Sequence, residues 1–228
     1  MPSPTAHHPP PITHIPITLP LPQRLTASSA WGEVGCCVQM HGVAVDAVCY
    51  EERYRDVERF LQCCRACHNY AHTWACPPFE PHCPTLFTPG DTLWLVGTRL
   101  TPDDATRQLS ATTAQRDAIL HALIHEAIGM VESLHRQWEA DVPGSRAYLF
   151  SACQLCEPLP CTRSEGKPCR HPDKVRPSLE ALGFNLAQTA DELLDMPLLW
   201  STDHSLPAYT LLLTAQRIPH NDATDRQQ

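Results

Sequence analysis

The 228-residue sequence has no surplus of positive charge, no long apolar run and few aromatic residues. Its formal net charge of -8 argues against the broad basic surface that binds nucleic-acid phosphates, so no nucleic-acid partner is expected. No segment approaches the roughly 20 consecutive apolar residues of a membrane-spanning helix. The longest apolar stretches, around Leu93–Leu95 and Leu211–Leu213, have the length of strands. The sequence therefore predicts no membrane span.

Common enzyme and export signals are also missing. There is no GxGxxG, Walker-type loop, GxSxG or HExxH motif, and no spacing ties a carboxylate to a nucleophile. Whether the protein is an enzyme, and on what substrate, stays open. The first 22 residues lack the charged start, apolar run and cleavage site of a secretory signal, so a cytoplasmic location is expected.

Proline is abundant, with 23 residues, and is concentrated at the start of the chain. Closely spaced prolines remove backbone donors and favour extended conformations, which predicts a disordered tail over residues 1–30. The length that remains suits one core. We expect a single cysteine-rich metal-binding domain over residues 31–218 and a flexible tail over residues 219–228.

The predicted fold class is α+β, a small mixed sheet with one long packed helix and two cysteine-rich loop regions. The apolar stripe Leu120, Ile124, Ala127, Val131, Leu134 and Trp138 indicates the long helix, with His121 and His125 on its polar face. Strands are expected over residues 31–50, 91–100, 146–152 and 208–216. Short helices are expected over 51–61, at PSLEALG before Gly183, and at TADELLD.

Twelve cysteines dominate the functional signal. In a reducing compartment their clustering indicates metal binding in preference to disulfides. The sharper cluster, here called the second group, comprises Cys153, Cys156, Cys161 and Cys169, four thiols within 17 residues. A CxxC pair lets two thiolates reach one metal centre, and the following loops are long enough to return two more.

The first group lies in CCRACHNYAHTWACPPFEPHC. Cys64 and Cys67 form its CxxC pair and Cys76 is a third candidate ligand, with Tyr70 and Trp74 expected to pack over the site. The fourth ligand stays open between Cys83, Cys63, His68 and a non-protein ligand. By contrast, Cys36, Cys37 and Cys49 lie in predicted early strands, where cysteine is an ordinary small apolar residue.

Zinc and iron–sulfur clusters both accept four thiolates. Each group has one CxxC followed by single cysteines, as in ferredoxins, whereas structural zinc sites typically use two CxxC knuckles. This spacing favours a 4Fe-4S cluster, with zinc as the alternative. Residues 161–178 carry a local excess of positive charge, which would offset an anionic cluster, and Arg170 and Arg176 are its cofactor-binding candidates. An exposed basic loop is the alternative explanation of that charge.

The stretches CRACHNYAHTWACPPF, SACQLCEPLPC, PCRHP and RPSLEALGFN resemble the family catalogued as a domain of unknown function and described as predicted metal-binding proteins. The resemblance covers residues 60–218. It implies a cytoplasmic prokaryotic protein with no assigned reaction, whose metal candidates are Cys64, Cys67, Cys76, Cys153, Cys156, Cys161 and Cys169. The sequence departs from the family at Ala71 and Ala152, where glycine is usual.

Three functions are compatible with these patterns. The first is an iron–sulfur protein that carries electrons, or serves a redox enzyme, with a redox protein as its partner. The second is a zinc-stabilised protein-interaction module whose cysteines serve folding alone. The third is a cluster-dependent enzyme in which Cys64, Cys67 and Cys76 leave one iron open for substrate. The oligomeric state is not indicated by the sequence.

Overall fold

A computed structural model describes residues 14–16, 23–79, 85–150, 153–201 and 203–220, the first of these ranges by its backbone only. Its centre is one antiparallel sheet with strand order β1-β3-β4-β6-β5, in which β2 also pairs with β3. The strands are β1 His14–Pro16, β2 Gln23–Ser29, β3 Gly32–Asp46, β4 Thr92–Pro102, β5 Arg146–Tyr148 and β6 Thr210–Ile218. The predicted α+β class is confirmed.

Five α-helices accompany the sheet in the described ranges. They are α1 Ala47–Tyr54, α2 Val57–Arg65, α3 Asp104–Gln108, α4 Thr113–Asp141 and α5 Leu186–Leu194. Short 3-10 helices occupy Thr162–Glu165 and Glu180–Leu182. No helix in the described part of the chain is long and apolar enough to cross a membrane.

The start of the sheet differs from the expected tail. Residues 23–29, which the proline content placed in a disordered segment, form β2 and pair along β3 from Gln23↔Val38 to Ser29↔Gly32. The proline-poor stretch QRLTASS can donate its backbone amides to β3, which allows β2 to form there. The short strand β1, His14–Pro16, also falls within the expected tail. Residues 1–13 and 17–22, and residues 221–228 of the predicted second tail, lie outside the described ranges.

Alternation along the strands gives the sheet two buried faces. On one face Leu93 and Leu95 of β4 pack with Tyr50 and Tyr54 of α1, and α5 completes this core. On the opposite face Leu100 packs with residues of α4, and the buried members from that helix are Ile119, Leu123 and Ala127. The sheet is therefore a middle layer with helices on both sides.

The long helix is confirmed, but its buried stripe is rotated from the predicted one. The buried residues are Ile119, Leu123, Ala127, Ile128, Val131 and His135, whereas Leu120, Ile124, Leu134 and Trp138 are only partly buried. His135 is fully buried because β6 presents polar partners to it. Its ring nitrogens lie 2.9 Å from Gln216 Oε1 and 2.8 Å from Thr214 Oγ1.

Candidate metal centres

The first cysteine group begins at the end of α2. The amide of Cys67 donates to the carbonyl of Cys64 at 2.9 Å, so the two residues of the CxxC pair stand one turn apart. Residues 67–76 then form successive turns. The amide of Ala71 donates to the carbonyl of Pro77 at 2.9 Å, which closes the loop and returns Cys76 towards α2.

These thiols surround one pocket of about 180 Å³. Tyr70 and Pro77 also line the pocket, so Tyr70 packs at the site as expected. A second segment, from Ser178 to Ala181, forms a further part of the wall. The cysteines of the lining are Cys63, Cys64, Cys67 and Cys76.

The surroundings of the pocket raise the pKa of two of its thiols, those of Cys64 and Cys76. Burial raises the pKa of Cys64, and the nearby Cys76, Cys67, Glu180 and Cys63 raise it further. Burial also raises the pKa of Cys76, against a lowering effect of Thr73 and of the Arg163 guanidinium. A bound cation would reverse this balance because metal ligation deprotonates thiols.

The second group lies beside α4, with all four of its cysteines partly buried. Burial raises the pKa of Cys153 to about 11, and Glu132, Cys156 and Cys161 contribute to the rise. Those three thiols are therefore close enough to influence one another. Cys169 accepts a hydrogen bond from the amide of His171 at 3.3 Å.

Gln154 ties the second group to α4. Its Nε2 lies 2.8 Å from Nδ1 of His125, and Glu157 lies 3.8 Å from Nε2 of the same ring. The polar helix face that carries His121 and His125 therefore anchors the second group at one point. The two histidine rings stack with centroids 6.2 Å apart.

The structure joins the two groups, which the sequence treated as separate. Arg163, between Cys161 and Cys169, donates to the carbonyls of Thr73 at 2.7 Å, Pro78 at 2.5 Å and Cys76. Its guanidinium also lies 4.9 Å from the ring centroid of Trp74, whose Nε1 donates to the carbonyl of Lys167 at 3.2 Å. We call this set of contacts the Arg163 clamp.

The two arginines proposed from sequence have other described contacts. Arg176 forms ion-pair hydrogen bonds to Glu139 at 2.7 and 3.0 Å, and Arg170 donates to the carbonyl of Pro160 at 2.8 Å. The positive charge of Arg176 is thus matched by a carboxylate. A role of either residue beside a cofactor stays a prediction. The Arg163 guanidinium, by contrast, has a lowering effect on the pKa of a candidate ligand, Cys76.

The cysteine side chains are not arranged for a single ion. Every described cysteine is a free thiol, and in the described ranges no three His, Cys, Asp or Glu side chains form a group that could hold one metal ion. Cys83 and Ala152 lie outside those ranges. Sequence reasoning missed Glu180 in the first pocket, although its motif, RPSLEALGFN, carried part of the family resemblance.

Comparison with known proteins gives one family. A family described as a predicted metal-binding protein, a domain of unknown function, matches residues 44–214 and so includes both cysteine groups. Comparison with curated proteins and with solved structures gives no match. Because the match covers most of the sequence, the chain belongs to this family of predicted metal-binding proteins.

Proposed function

We propose that the protein is an iron–sulfur protein with an electron-transfer or redox accessory role. The observation that carries the proposal is the first pocket, where four thiols face a shared cavity of about 180 Å³. Each group has one CxxC followed by single cysteines, which favours a cluster over zinc, because structural zinc sites typically use two CxxC knuckles.

The thiol donors fit such a group because thiolates are the soft ligands that hold iron–sulfur clusters. Cys64, Cys67 and Cys76 would hold a cluster at the first group, and Cys153, Cys156, Cys161 and Cys169 would hold one at the second. A bound cluster would supply one-electron redox chemistry. The chain supplies partial burial of the thiols and the positive charge of Arg163 next to Cys76, which favours the thiolate form.

The Arg163 clamp supports an electron-transfer role. It fixes the loop of the first group directly against the loop between Cys161 and Cys169. Two centres held in adjoining loops would be close enough to exchange electrons, and a redox protein would accept or deliver them.

Structural zinc binding has less support from the packing. Among the described residues, neither of the two apolar cores contains a candidate ligand, and the cysteine they include is Cys36 of β3. In a module that requires metal for folding, the metal ligands would be expected to lie within the core that the metal helps to form.

The proposal is tested by purifying the full chain without oxygen and measuring iron, sulfide and zinc. We expect iron and sulfide in comparable amounts and an electron paramagnetic resonance signal after reduction. Colourless protein with stoichiometric zinc and no sulfide would refute the proposal.

Serine variants localise the sites. Cys64→Ser and Cys156→Ser should each remove part of the iron and sulfide. Cys37→Ser is the matched control, because Cys37 is an exposed thiol on β3 outside both groups, and it should leave both contents unchanged. Equal metal loss in all three variants would contradict the assignment.

A further inference from the structure

The wall of the first pocket comes from two distant parts of the chain. The cysteines belong to α2 and the loop after it, whereas Ser178, Glu180 and Ala181 belong to a segment more than 100 residues later. Glu180 is the carboxylate in this lining. An oxygen ligand therefore faces the same cavity as the three candidate sulfur ligands.

Backbone contacts fix the later segment beside α2. The amide of Asp56 donates to the carbonyl of Gly183 at 2.8 Å, and the amide of Asn185 donates to the carbonyl of Tyr54 at 2.8 Å. Arg55 Nε donates to the carbonyl of Leu182 at 2.9 Å. These bonds lie at the C-terminal end of the 3-10 turn that carries Glu180.

Gly183 permits this close approach. Its φ is +96°, and a Cβ at this position would lie 2.8 Å from the Cα of Val57, the first residue of α2. A side chain could not fit without moving α2, the helix that carries Cys63 and Cys64. The glycine in RPSLEALGFN is thus explained by the placement of Glu180 against the cysteine-bearing helix.

The Glu180 side chain is exposed and lies in the same pocket wall as Cys64, Cys67 and Cys76. Ser178, two residues earlier in that wall, is fully buried.

Cys63 is less suited to the same centre. It lies next to Cys64 in α2, and adjacent helical residues do not face the same direction. Cys64 and Cys67 are three apart and can share a direction, whereas Cys63 lines the same pocket from the neighbouring helix position.

The geometry points to Glu180 as the fourth ligand of the first centre, completing the set Cys64, Cys67 and Cys76 through a carboxylate oxygen. A Glu180 carboxylate oxygen would bind iron through a lone pair. This inference rests on the proposed iron–sulfur function. The iron that the third function left open for substrate would then have an oxygen ligand. That ligand binds iron less strongly than the three thiolates, since carboxylates are harder ligands.

The experiment compares Glu180→Gln and Glu180→Cys with the unmodified full chain, each loaded with iron and sulfide without oxygen. We expect Glu180→Gln to lose about one iron per chain and to give the signal of a three-iron cluster in the oxidised state. Glu180→Cys should restore the iron content and shift the resonance spectrum, because a thiolate replaces the oxygen. A merely structural glutamate would not be rescued by cysteine.

Glu165→Gln is the matched control, since Glu165 lies in the other 3-10 helix and pairs with Lys167. It should leave iron and spectrum unchanged. Unchanged iron in Glu180→Gln, or loss of one iron in Cys63→Ser or Cys83→Ser instead, would overturn the inference and leave the proposed function standing. Absence of iron and sulfide from the unmodified chain would overturn both.

Discussion

At the residue scale, Ala71 occupies a backbone conformation that favours glycine. Its φ is +60°, in the loop that returns Cys76 to the first pocket. The left-handed conformation costs a non-glycine residue roughly 1–2 kcal/mol of stability. Replacement by glycine would recover only part of this energy, because glycine has more conformational freedom in the unfolded chain. The strain lies at a position where the family resemblance already indicated glycine.

Ala71→Gly should therefore raise the free energy of unfolding by roughly 0.5–1 kcal/mol, measured by urea denaturation of the metal-free protein. Ala66→Gly is the matched control, because Ala66 is also exposed and has a right-handed φ of -84°. We expect that control to be destabilised. Equal effects of the two substitutions would contradict the assigned backbone strain.

A second single-residue effect concerns pH. Burial lowers the pKa of His135 to about 4, against opposing contributions from Gln216 and Glu139. Between pH 6.5 and 4 the unfolded chain binds a proton at this histidine that the folded chain does not. Above pH 6.5 the buried, neutral His135 therefore costs the folded state nothing. As the pH falls from 6.5 towards 4, the free energy of unfolding decreases.

In the metal-free protein, unfolding free energy should fall by about 1.4 kcal/mol per pH unit in this window because of His135. His135→Gln should remove that part of the slope in urea denaturation at pH 7 and pH 5. His121→Gln changes an exposed histidine on the same helix and should keep the slope. Identical slopes in the unmodified protein and His135→Gln would refute the prediction.

At the scale of elements, the two cysteine loops are supported differently. Glu139 of α4 accepts from Arg176 and from the amide of Ala147 at 2.8 Å, which anchors the end of the second group to the helix and to β5. The Arg163 clamp links the two loops to each other through backbone carbonyls. Removal of that clamp should free the first loop without disturbing the sheet.

Arg163→Ala is expected to raise the rate of limited proteolysis within residues 67–79 roughly tenfold, equivalent to about 1.4 kcal/mol of local stability. Arg170→Ala is the control, since Arg170 bonds to the carbonyl of Pro160 within its own loop, and it should leave this rate unchanged. Equal cleavage of the two variants would contradict the clamp.

At the scale of the whole molecule, the cores and the candidate centres are separate. The sheet and its flanking helices bury apolar side chains on two faces, and the described candidate ligands, Cys64 in α2 and the others in loops, lie outside both clusters. The fold therefore has its main source of stability without metal.

Chelation should accordingly leave the far-ultraviolet circular dichroism spectrum and a cooperative urea transition in place. Phe184→Ala is the positive control, because Phe184 is fully buried and its truncation should cost about 3–5 kcal/mol. Conversion of the chelated protein to an unfolded spectrum would contradict this separation and favour a metal that serves folding.

The sequence alone determined the α+β class, the long helix and the two cysteine groups, because periodicity and spacing are local properties of the chain. It also located β4 and β6 to within two residues at each end. Only the tertiary structure buried His135, brought Arg163 to the first loop and set Glu180 in the cysteine pocket. Each of these depends on contacts between residues 79 to 116 positions apart, and no local pattern specifies which distant partner a polar side chain will meet.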